Sequence, residues 1–237
     1  MISFKEEFKN IFCSLGLEKY TESDLSDRFE ILYERLVEKN KVMNLTALTE
    51  MRDVIIGHFA DSLAAADEIK EGARVIDVGC GGGFPTLPLA IARPDISVTA
   101  LDSTAKKLVF VSEVANELGL NVKTLAMRAE YAAKMPEYRE NFDVCVSRAV
   151  ARLSILDEIC LPFVKKGGRF IAMKGAGADE EYDEAKKGIA LLGGTLFENK
   201  KSTLADFGAR ALLVIDKVEK TPEKYPRAYA KIKKSQL

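Results

Sequence analysis

The sequence predicts an α/β protein with a mostly parallel seven-stranded sheet, helices on both faces of the sheet and a helical cap at the N-terminus. Three observations predict this fold class. From residue 73 onward, short apolar strands alternate with helical segments, which is the pattern of a parallel sheet. The first of these strands runs into a glycine-rich turn, V-I-D-V-G-C-G-G-G-F at 75–84, of the kind that lets a ligand approach the backbone. The first 40 residues lack this alternation and space their apolar residues as a helix does.

Apolar residues at helical spacing predict that the N-terminal cap is helical. The residues that share one face are Leu25, Phe29, Leu32, Tyr33 and Leu36. The first 40 residues contain six basic and nine acidic residues, so we expect them to pack as a cap rather than to bind nucleic acid. We therefore place the N-terminal helical cap at 1–48, with a loop at 40–46, and expect a further helical region at 49–68.

The alternating region forms the predicted core, residues 49–218. Its strands are predicted at 73–79, 97–102, 122–127, 142–147 and 169–174, with two more near 195–200 and 210–218. Helices are predicted between them at 85–92, 104–118, 153–163 and 180–192. Pro85 suits the first turn of its helix and Gly119 suits the end of the next one, because helices start readily at proline and stop readily at glycine.

The chain ends in a predicted basic tail, residues 219–237. Seven basic and two acidic residues lie between Lys217 and Leu237, and Pro222 and Pro226 preclude a long helix there. Two interpretations remain open, a solvated end and a segment that contacts nucleic-acid phosphates. Charge alone favours a solvated, partly disordered end, because charge runs are usually solvated.

The composition and charge of the chain exclude several classes of protein. Its 237 residues suffice for one sizeable α/β domain with an appendage. The net charge of −1 means that any nucleic-acid contact must come from a local basic patch. Four isolated cysteines and one histidine argue against a zinc site, so we expect no metal. The chain has no signal-peptide core and no long apolar run, and we expect a cytoplasmic monomer that does not bind membranes.

The glycine turn predicts a cofactor site with the pattern Asp77-x-Gly79-x-Gly81-x-Gly83. A dinucleotide-binding turn needs a glycine where this chain has Phe84, because that glycine allows close packing of helix on strand. Asp77 would also repel a pyrophosphate. The same carboxylate could accept hydrogen bonds from the ammonium group of S-adenosylmethionine or attract its sulfonium. We therefore predict S-adenosylmethionine as the cofactor, with a NAD-type dinucleotide-binding oxidoreductase as the alternative.

The ends of the next two strands carry further candidate cofactor-binding residues. Asp102 ends the second strand, where an acidic side chain can accept both hydroxyls of a ribose, and Ser103 follows it. The structural alternative is an aspartate that only caps a helix or turn. Ala129 and Glu130 follow the third strand. In a fold of this kind that loop lies over the adenine ring, so backbone and small side chains there could bind its edge.

Two basic residues at later strand ends are candidates for the chemical step. Arg148 ends the fourth strand, beside the predicted cofactor cleft, and Lys174 ends the fifth. A surface ion pair is the structural alternative for Arg148. Arg148 is the stronger candidate, because the carboxyl end of a central parallel strand is where ligands bind in open α/β sheets.

Taken together, these motifs resemble the RsmG (GidB) family, the bacterial 16S ribosomal RNA guanine-N7 methyltransferases. The resemblance covers nearly the whole chain. It is carried by Asn44-Leu45-Thr46, His58-x-x-Asp61-Ser62, the D-V-G-C-G-G-G-F-P turn, Leu101-Asp102-Ser103, Arg128-Ala129-Glu130, Ser147-Arg148-Ala149-Val150-Ala151, Met173-Lys174-Gly175 and the T-P-x-K-Y-P-R sequence of the tail. One small departure is Cys80, where relatives often have threonine or alanine.

The resemblance implies a Rossmann-like class I S-adenosylmethionine-dependent methyltransferase fold and a specific reaction. The implied reaction is methyl transfer to N7 of a guanine in the 530 loop of 16S rRNA, at rRNA position 527. The implied partner is 16S rRNA or the 30S ribosomal subunit. The positions that match the family's cofactor-binding residues are Gly79, Phe84, Ala129, Glu130 and Arg148. Another RNA substrate, or a non-catalytic role in ribosome assembly, are the competing hypotheses.

Methylation at guanine N7 would explain why the sequence offers no evident catalytic base. N7 exposes a lone pair and needs no proton removed before it attacks, so the enzyme must mainly align the reactants. We predict that Arg148 holds guanine O6, the ribose–phosphate or the methionine carboxylate of the cofactor. His58 is the only histidine. It either forms a buried hydrogen-bonded pair with Asp61 that orders the cap, or contacts the guanine.

Overall fold

The computed structural model describes residues 2–237 and confirms the predicted seven-stranded sheet. The strands are β1 (Arg74–Val78), β2 (Ser97–Asp102), β3 (Val122–Ala126), β4 (Phe142–Arg148), β5 (Val164–Lys174), β6 (Gly194–Thr203) and β7 (Ala209–Lys217). They lie in the order β3-β2-β1-β4-β5-β7-β6. The first five strands are parallel, while β7 runs antiparallel to both β5 and β6. The sheet is therefore mostly parallel.

Helices cover both faces of this sheet. They are α1 (Phe4–Ser14), α2 (Ser23–Met43), α3 (Met51–Val54), α4 (Asp61–Leu63), α5 (Thr86–Ala92), α6 (Ala105–Glu117), α7 (Ala129–Ala132), α8 (Leu153–Cys160), α9 (Ala178–Leu191) and α10 (Tyr229–Lys234). Between α3 and α4 the helix continues as a π-helical turn, Ile55–Ala60. Alternate residues of β1 enter two apolar clusters, Val75 on the face covered by α1, α2, α5 and α6, and Ile76 on the face covered by α8 and α9.

The largest differences from the predicted bounds concern the cap and β5. The predicted helical region at 1–40 is divided into two helices, since Gly16 adopts a positive φ of 71° after α1, and α2 continues to Met43, into the loop predicted at 40–46. Strand β5 begins at Val164 instead of residue 169. Phe142 pairs with Val164, and the register with β4 then shifts, so the lysine–glycine run at 165–168 lies inside the strand.

The basic tail is ordered and packs against the core. Tyr225 and Ile232 are buried in the same apolar cluster as α8, and Ile232 lies on the short helix α10. The expectation of a solvated, partly disordered end was therefore wrong. The prediction rested on the number of charged residues and did not weigh the apolar residues between the lysines, which anchor the tail.

The cap shares its core with the glycine turn. A chain of aromatic contacts joins Phe8 to Phe29 and Phe29 to Phe59, each with ring centroids 5.1 Å apart, and Phe59 to Phe84 at 6.4 Å. Phe8 lies in α1 and Phe84 lies in the glycine turn. The predicted boundary at residue 48 thus does not separate two hydrophobic cores.

The strand order places a crevice beside β1. From β1 the chain proceeds to β2 on one side, and it returns to place β4 on the other side. At such a switch point the connections leave in opposite directions, and ligands bind outside the carboxyl ends of the strands. Among residues 2–237, no helix is long and apolar enough to cross a membrane, and no cluster of three or more histidine, cysteine or carboxylate side chains is placed to hold a metal ion.

Candidate active site

A cavity of about 390 Å³, which we call the first cavity, opens at the carboxyl ends of β1 to β4. Most of the candidate residues that lie far apart in sequence meet there. Those in its lining are His58, Gly79, Gly81, Phe84, Asp102, Ser103, Ala129, Glu130 and Arg148. Asp77 and Lys174 are the two candidates that do not line it.

Backbone conformation at Gly79 and Gly81, and the space around Gly79, require glycine in the turn. Gly79 has a φ of 79° and Gly81 a φ of 56°, which L side chains rarely adopt. A Cβ at Gly79 would also lie 2.4 Å from Cγ2 of Val150. Both features require glycine, and they expose the backbone of the turn to whatever fills the cavity.

Asp77 is a buried structural residue behind the turn, which corrects its predicted contact with the cofactor. Its side chain is fully buried, and Oδ2 accepts hydrogen bonds from the backbone N–H of Thr86 at 3.1 Å and from the Thr86 hydroxyl at 2.6 Å. Thr86 begins α5, so the carboxylate ties the helix to the end of β1. Oδ1 has no partner among the described residues, and burial raises the pKa of Asp77 to about 7.

Asp102 holds the turn in place and also faces the first cavity. Oδ2 accepts a hydrogen bond from the backbone N–H of Gly81 at 3.0 Å, and Oδ1 accepts one from that of Thr104 at 2.7 Å. Each carboxylate oxygen can accept a second hydrogen bond. Asp102 can therefore stabilise the turn and bind a ligand hydroxyl at the same time, so both predicted interpretations fit.

Arg128 and Glu130 form one end of the first cavity. Arg128 Nε donates to Glu130 Oε1 at 2.9 Å, and the Glu130 side chain is buried. The guanidinium carbon of Arg128 also lies 4.4 Å from the ring centroid of Tyr229, which the C-terminal helix contributes. Sequence reasoning did not place the tail at this site.

Three acceptors hold the Arg148 guanidinium. Nη1 donates to Asp61 Oδ2 at 2.8 Å and to the backbone oxygen of Gly57 at 3.0 Å, and Nη2 lies 3.1 Å from His58 Nδ1. The acceptors come from the π-helical turn and the first residue of α4. Turns of this kind are frequent at functional sites. The predicted direct pair of His58 with Asp61 was wrong, because Arg148 lies between them and bonds to both.

His58 is a neutral hydrogen-bonding residue in this site. Burial, together with the charge of Arg148, lowers the pKa of His58 to about 3. Since arginine can only donate, Nδ1 accepts, and we assign the imidazole proton to Nε2. Nε2 lies 2.6 Å from the hydroxyl oxygen of Thr46, which therefore accepts it. Sequence reasoning placed Thr46 in a loop motif but gave it no role.

A second cavity of about 670 Å³ adjoins the first. The two share His58, Arg148, Ala149 and Val150 as a common wall. Ala149 has a φ of 56°, a strained conformation that turns the chain sharply between Arg148 and Val150. The wall therefore separates two cavities, each of which could hold one of two reactants.

Lys174 lines this second cavity and is occupied by structural contacts. Its Nζ donates to the backbone oxygen of Ala151 at 2.6 Å and pairs with Glu181 Oε2 at 2.7 Å, and its side chain is only 8% exposed. Lys174 thus ends the fifth strand, as predicted, and faces the second cavity rather than the first. Its role in the chemical step stays a prediction.

Asp61 joins two arginines in the second cavity. Its Oδ2 accepts from Arg148, and its Oδ1 accepts from Nε of Arg210 at 2.9 Å. The sequence contains the signal for Asp61 in the H-x-x-D motif. It gives none for Arg210, because this residue reaches the site only through the antiparallel pairing of β7 with β5.

Comparison with known proteins identifies a family over most of the chain. Residues 26–206 match the model of the GidB family, described as rRNA small subunit methyltransferase G. The ribosomal RNA small subunit methyltransferase G of Clostridium perfringens strain 13 is 43% identical over 231 residues, which are 94% of this chain and 95% of that protein. The protein of the same name from Lachnoclostridium phytofermentans is 47% identical over 209 residues, 86% of each chain.

Solved structures with low sequence identity share the fold. TrmN from Thermus thermophilus superposes with a TM-score of 0.54 at 20% identity, over 78% of this chain and 53% of that one. Fibrillarin from Aeropyrum pernix, solved with natively bound S-adenosyl-L-methionine, gives a TM-score of 0.52 at 17% identity, over 65% of this chain and 73% of that one. These likenesses confirm the predicted Rossmann-like class I methyltransferase fold.

Proposed function

This chain belongs to the GidB family of small-subunit rRNA methyltransferases G, and we propose that it transfers a methyl group from S-adenosylmethionine to N7 of a guanine in the 530 loop of 16S rRNA. The observation that carries the proposal is the pair of adjoining cavities, with Arg148 and His58 in the wall between them. One cavity would hold the methyl donor and the other the acceptor base. The partner is 16S rRNA or the 30S subunit, and the protein acts as a monomer in the cytoplasm.

The first cavity suits S-adenosylmethionine, which supplies a methyl group on a positively charged sulfur when it is bound. Gly79 and Gly81 present bare backbone to its amino-acid part, since a Cβ at Gly79 would collide with Val150. Asp102 keeps acceptor capacity for the ribose hydroxyls. Ala129 and Glu130 lie where the adenine edge would be read. Phe84 lines this cavity and stands where a dinucleotide motif has its last glycine.

The second cavity suits a base taken out of its RNA stack. Its volume of about 670 Å³ leaves room for a purine nucleotide, and Arg148 and Arg210 line it. Guanidinium groups bind phosphates and guanine edges well. A stacked guanine cannot bring N7 to a buried methyl group, so we propose that the base is splayed out into this cavity.

The protonation state of the site fits methylation of a free lone pair. His58 is neutral and points its proton at Thr46, so it is not arranged to remove a proton from the substrate. Guanine N7 requires no such removal. Holding the two reactants in line can supply roughly 7–11 kcal/mol of a barrier. Arg148 is fixed by three acceptors before any substrate binds, so it can contribute to this alignment. We therefore propose that Arg148 positions the reactants and that Lys174 supports the wall of the second cavity.

Transfer of a labelled methyl group tests the proposal. The purified protein is incubated with labelled S-adenosylmethionine and undermethylated 30S subunits, naked 16S rRNA or tRNA. We expect label on guanine N7 of 16S rRNA, either in the subunit or in the naked RNA. Label only on tRNA would favour the alternative RNA substrate. No transfer to any of the three, with the donor bound, would favour a non-catalytic role in ribosome assembly.

A further inference from the structure

The C-terminal tail returns to the first cavity, where Tyr229 forms part of the lining. Tyr229 begins α10 and lies outside residues 26–206, the part of the chain that the family model matches. The cavity is therefore incomplete without a residue that follows the last strand of the sheet.

A buried ion pair places this segment. The side chain of Glu158 is fully buried, and it accepts hydrogen bonds from Arg227 Nε at 2.9 Å and Nη2 at 2.6 Å, and from the Arg227 backbone N–H at 2.7 Å. The fork geometry of a guanidinium fixes direction as well as distance. Arg227 stands two residues before Tyr229, and Glu158 stands next to Ile159, another residue of the cavity lining. The pair thus ties the segment that carries Tyr229 to α8, the helix that contributes Ile159 to the lining.

Further contacts on both sides of Tyr229 keep the tail in place. Arg139 donates from Nη1 to the backbone oxygen of Tyr225 at 2.8 Å, and from Nη2 to that of Thr221 at 2.9 Å. Beyond Tyr229, Ile232 is completely buried in the core. A segment fixed before and after one residue loses little further entropy when that residue meets a ligand.

The groups around Tyr229 have the chemistry that binds a purine ring. Its ring faces the guanidinium of Arg128, which follows β3, at 4.4 Å. Ile159 and Met127 line the same cavity. Aromatic rings, guanidinium planes and apolar side chains are the groups on which purine bases stack. These residues lie at the end of the cavity where the proposed function puts adenine.

We infer that Tyr229, positioned by the Arg227–Glu158 pair, forms a wall of the adenine subsite, so that the basic tail is a cofactor-binding element. This inference rests on the proposed function, because it takes S-adenosylmethionine as the ligand. It differs from an RNA-phosphate role for the tail in one measurable respect. Loss of Tyr229 weakens binding of the cofactor when no RNA is present.

Isothermal titration of the full-length protein with S-adenosylhomocysteine, without RNA, tests the inference. We expect Tyr229→Ala to weaken binding about tenfold, the size typical of losing one base-stacking side chain. Tyr229→Phe should retain binding, because stacking needs the ring and not the hydroxyl. The matched control is Tyr131→Ala, since Tyr131 is 61% exposed on α7 and does not line the cavity.

A second ligand locates the contact. 5′-Methylthioadenosine has the adenine and ribose but no amino-acid part, so Tyr229→Ala should weaken its binding by the same factor. A loss seen with S-adenosylhomocysteine alone would overturn the assignment to adenine. Unchanged binding of both ligands by Tyr229→Ala would overturn the inference and leave the proposed function intact. Failure of the wild-type protein to bind S-adenosylhomocysteine would instead remove the proposed function itself.

The positioning role of Arg227 has its own readout. Arg227→Lys keeps the positive charge but loses the forked guanidinium contact with Glu158. It should weaken binding of S-adenosylhomocysteine when Tyr229 is present, and have little further effect when combined with Tyr229→Ala. Additive losses in the double variant would show that Arg227 acts on the fold in general, and would overturn the positioning role.

Discussion

The imidazole of His58 lies nearly parallel to the phenyl ring of Phe84, with 4.3 Å between the ring centroids and 12° between the planes. His58 belongs to the π-helical turn and Phe84 to the glycine turn. The stack therefore connects the element that holds Arg148 to the element that lines the first cavity. Displacing either ring should disturb both.

Because the pKa of His58 is low, we expect that the rate of methyl transfer shows no dependence on the titration of this residue. Because that pKa is about 3 in the folded protein, against 6.5 for a free histidine, the ring stays neutral throughout the working range of pH. We expect His58→Gln to lower methyl transfer about tenfold, about 1.4 kcal/mol, by removing the aromatic stack with Phe84. The ratio of wild-type to variant rates should stay constant from about pH 5.5 to 8. A ratio that changes around pH 6.5 would show that His58 titrates during catalysis.

Arg148 should be essential for transfer and dispensable for folding. Arg148→Ala removes the group between the two cavities, while Asp61 keeps its bond to Arg210. We expect at least about a hundredfold loss of transfer, a size typical of lost positioning. The thermal unfolding temperature should change little, because one partner of the buried carboxylate remains. Wild-type turnover by this variant would refute the assignment, and Arg148→Lys should recover only a small part, since lysine cannot reach all three acceptors.

Alanine variants of Gly79 and Gly72 can separate the effect of backbone strain from the effect of a steric clash. Both have positive φ, but a Cβ at Gly72 meets nothing within 4 Å whereas one at Gly79 meets Val150. Each alanine variant should lose about 1–2 kcal/mol of stability from the backbone conformation. Only Gly79→Ala should also lose binding of S-adenosylhomocysteine in a titration. Equal binding by the two variants would mean that the close approach at Gly79 is unrelated to the ligand.

Asp77 should make stability fall as pH rises. Its pKa is about 7 in the folded protein and 3.8 as the ordinary value, so between these the folded state keeps a proton that the unfolded chain has lost. Stability then falls by up to about 1.4 kcal/mol per pH unit from this group. Asp77→Asn removes the contribution, so its free energy of unfolding in urea should rise relative to wild type between about pH 5 and 7.

The sequence predicted the central strands well because each is an apolar run bounded by turn residues. The bounds of β2 match the prediction, and β1 and β4 differ by only one or two residues. The start of β5 was missed because Lys165 and Gly167 suggest a turn, whereas in the structure they lie inside the strand, between Val164 and Arg169, the residues that pair with β4. Helix α10 was missed because its lysines outnumber its single buried residue, Ile232.

The sequence predicted which residues line the candidate site, but not which of them bond to one another. Glycines, Asp102 and Arg148 could be placed because the carboxyl ends of parallel strands converge at one edge. The partners of Arg148 could not be predicted, since His58 and Asp61 precede it by about 90 residues and meet it only through packing of the π-helical turn. Asp77 was misplaced for a similar reason. Its spacing from the glycines does not show which way the carboxylate points.

The aromatic contacts from Phe8 to Phe84 make the first helix a thermodynamic partner of the ligand site. A ligand that binds only the folded turn stabilises every element whose opening would disturb that turn. Backbone amides of α1 should therefore exchange their hydrogens for solvent deuterium more slowly once the first cavity is filled. In this way, exchange rates in the first helix would report on occupancy of the cavity.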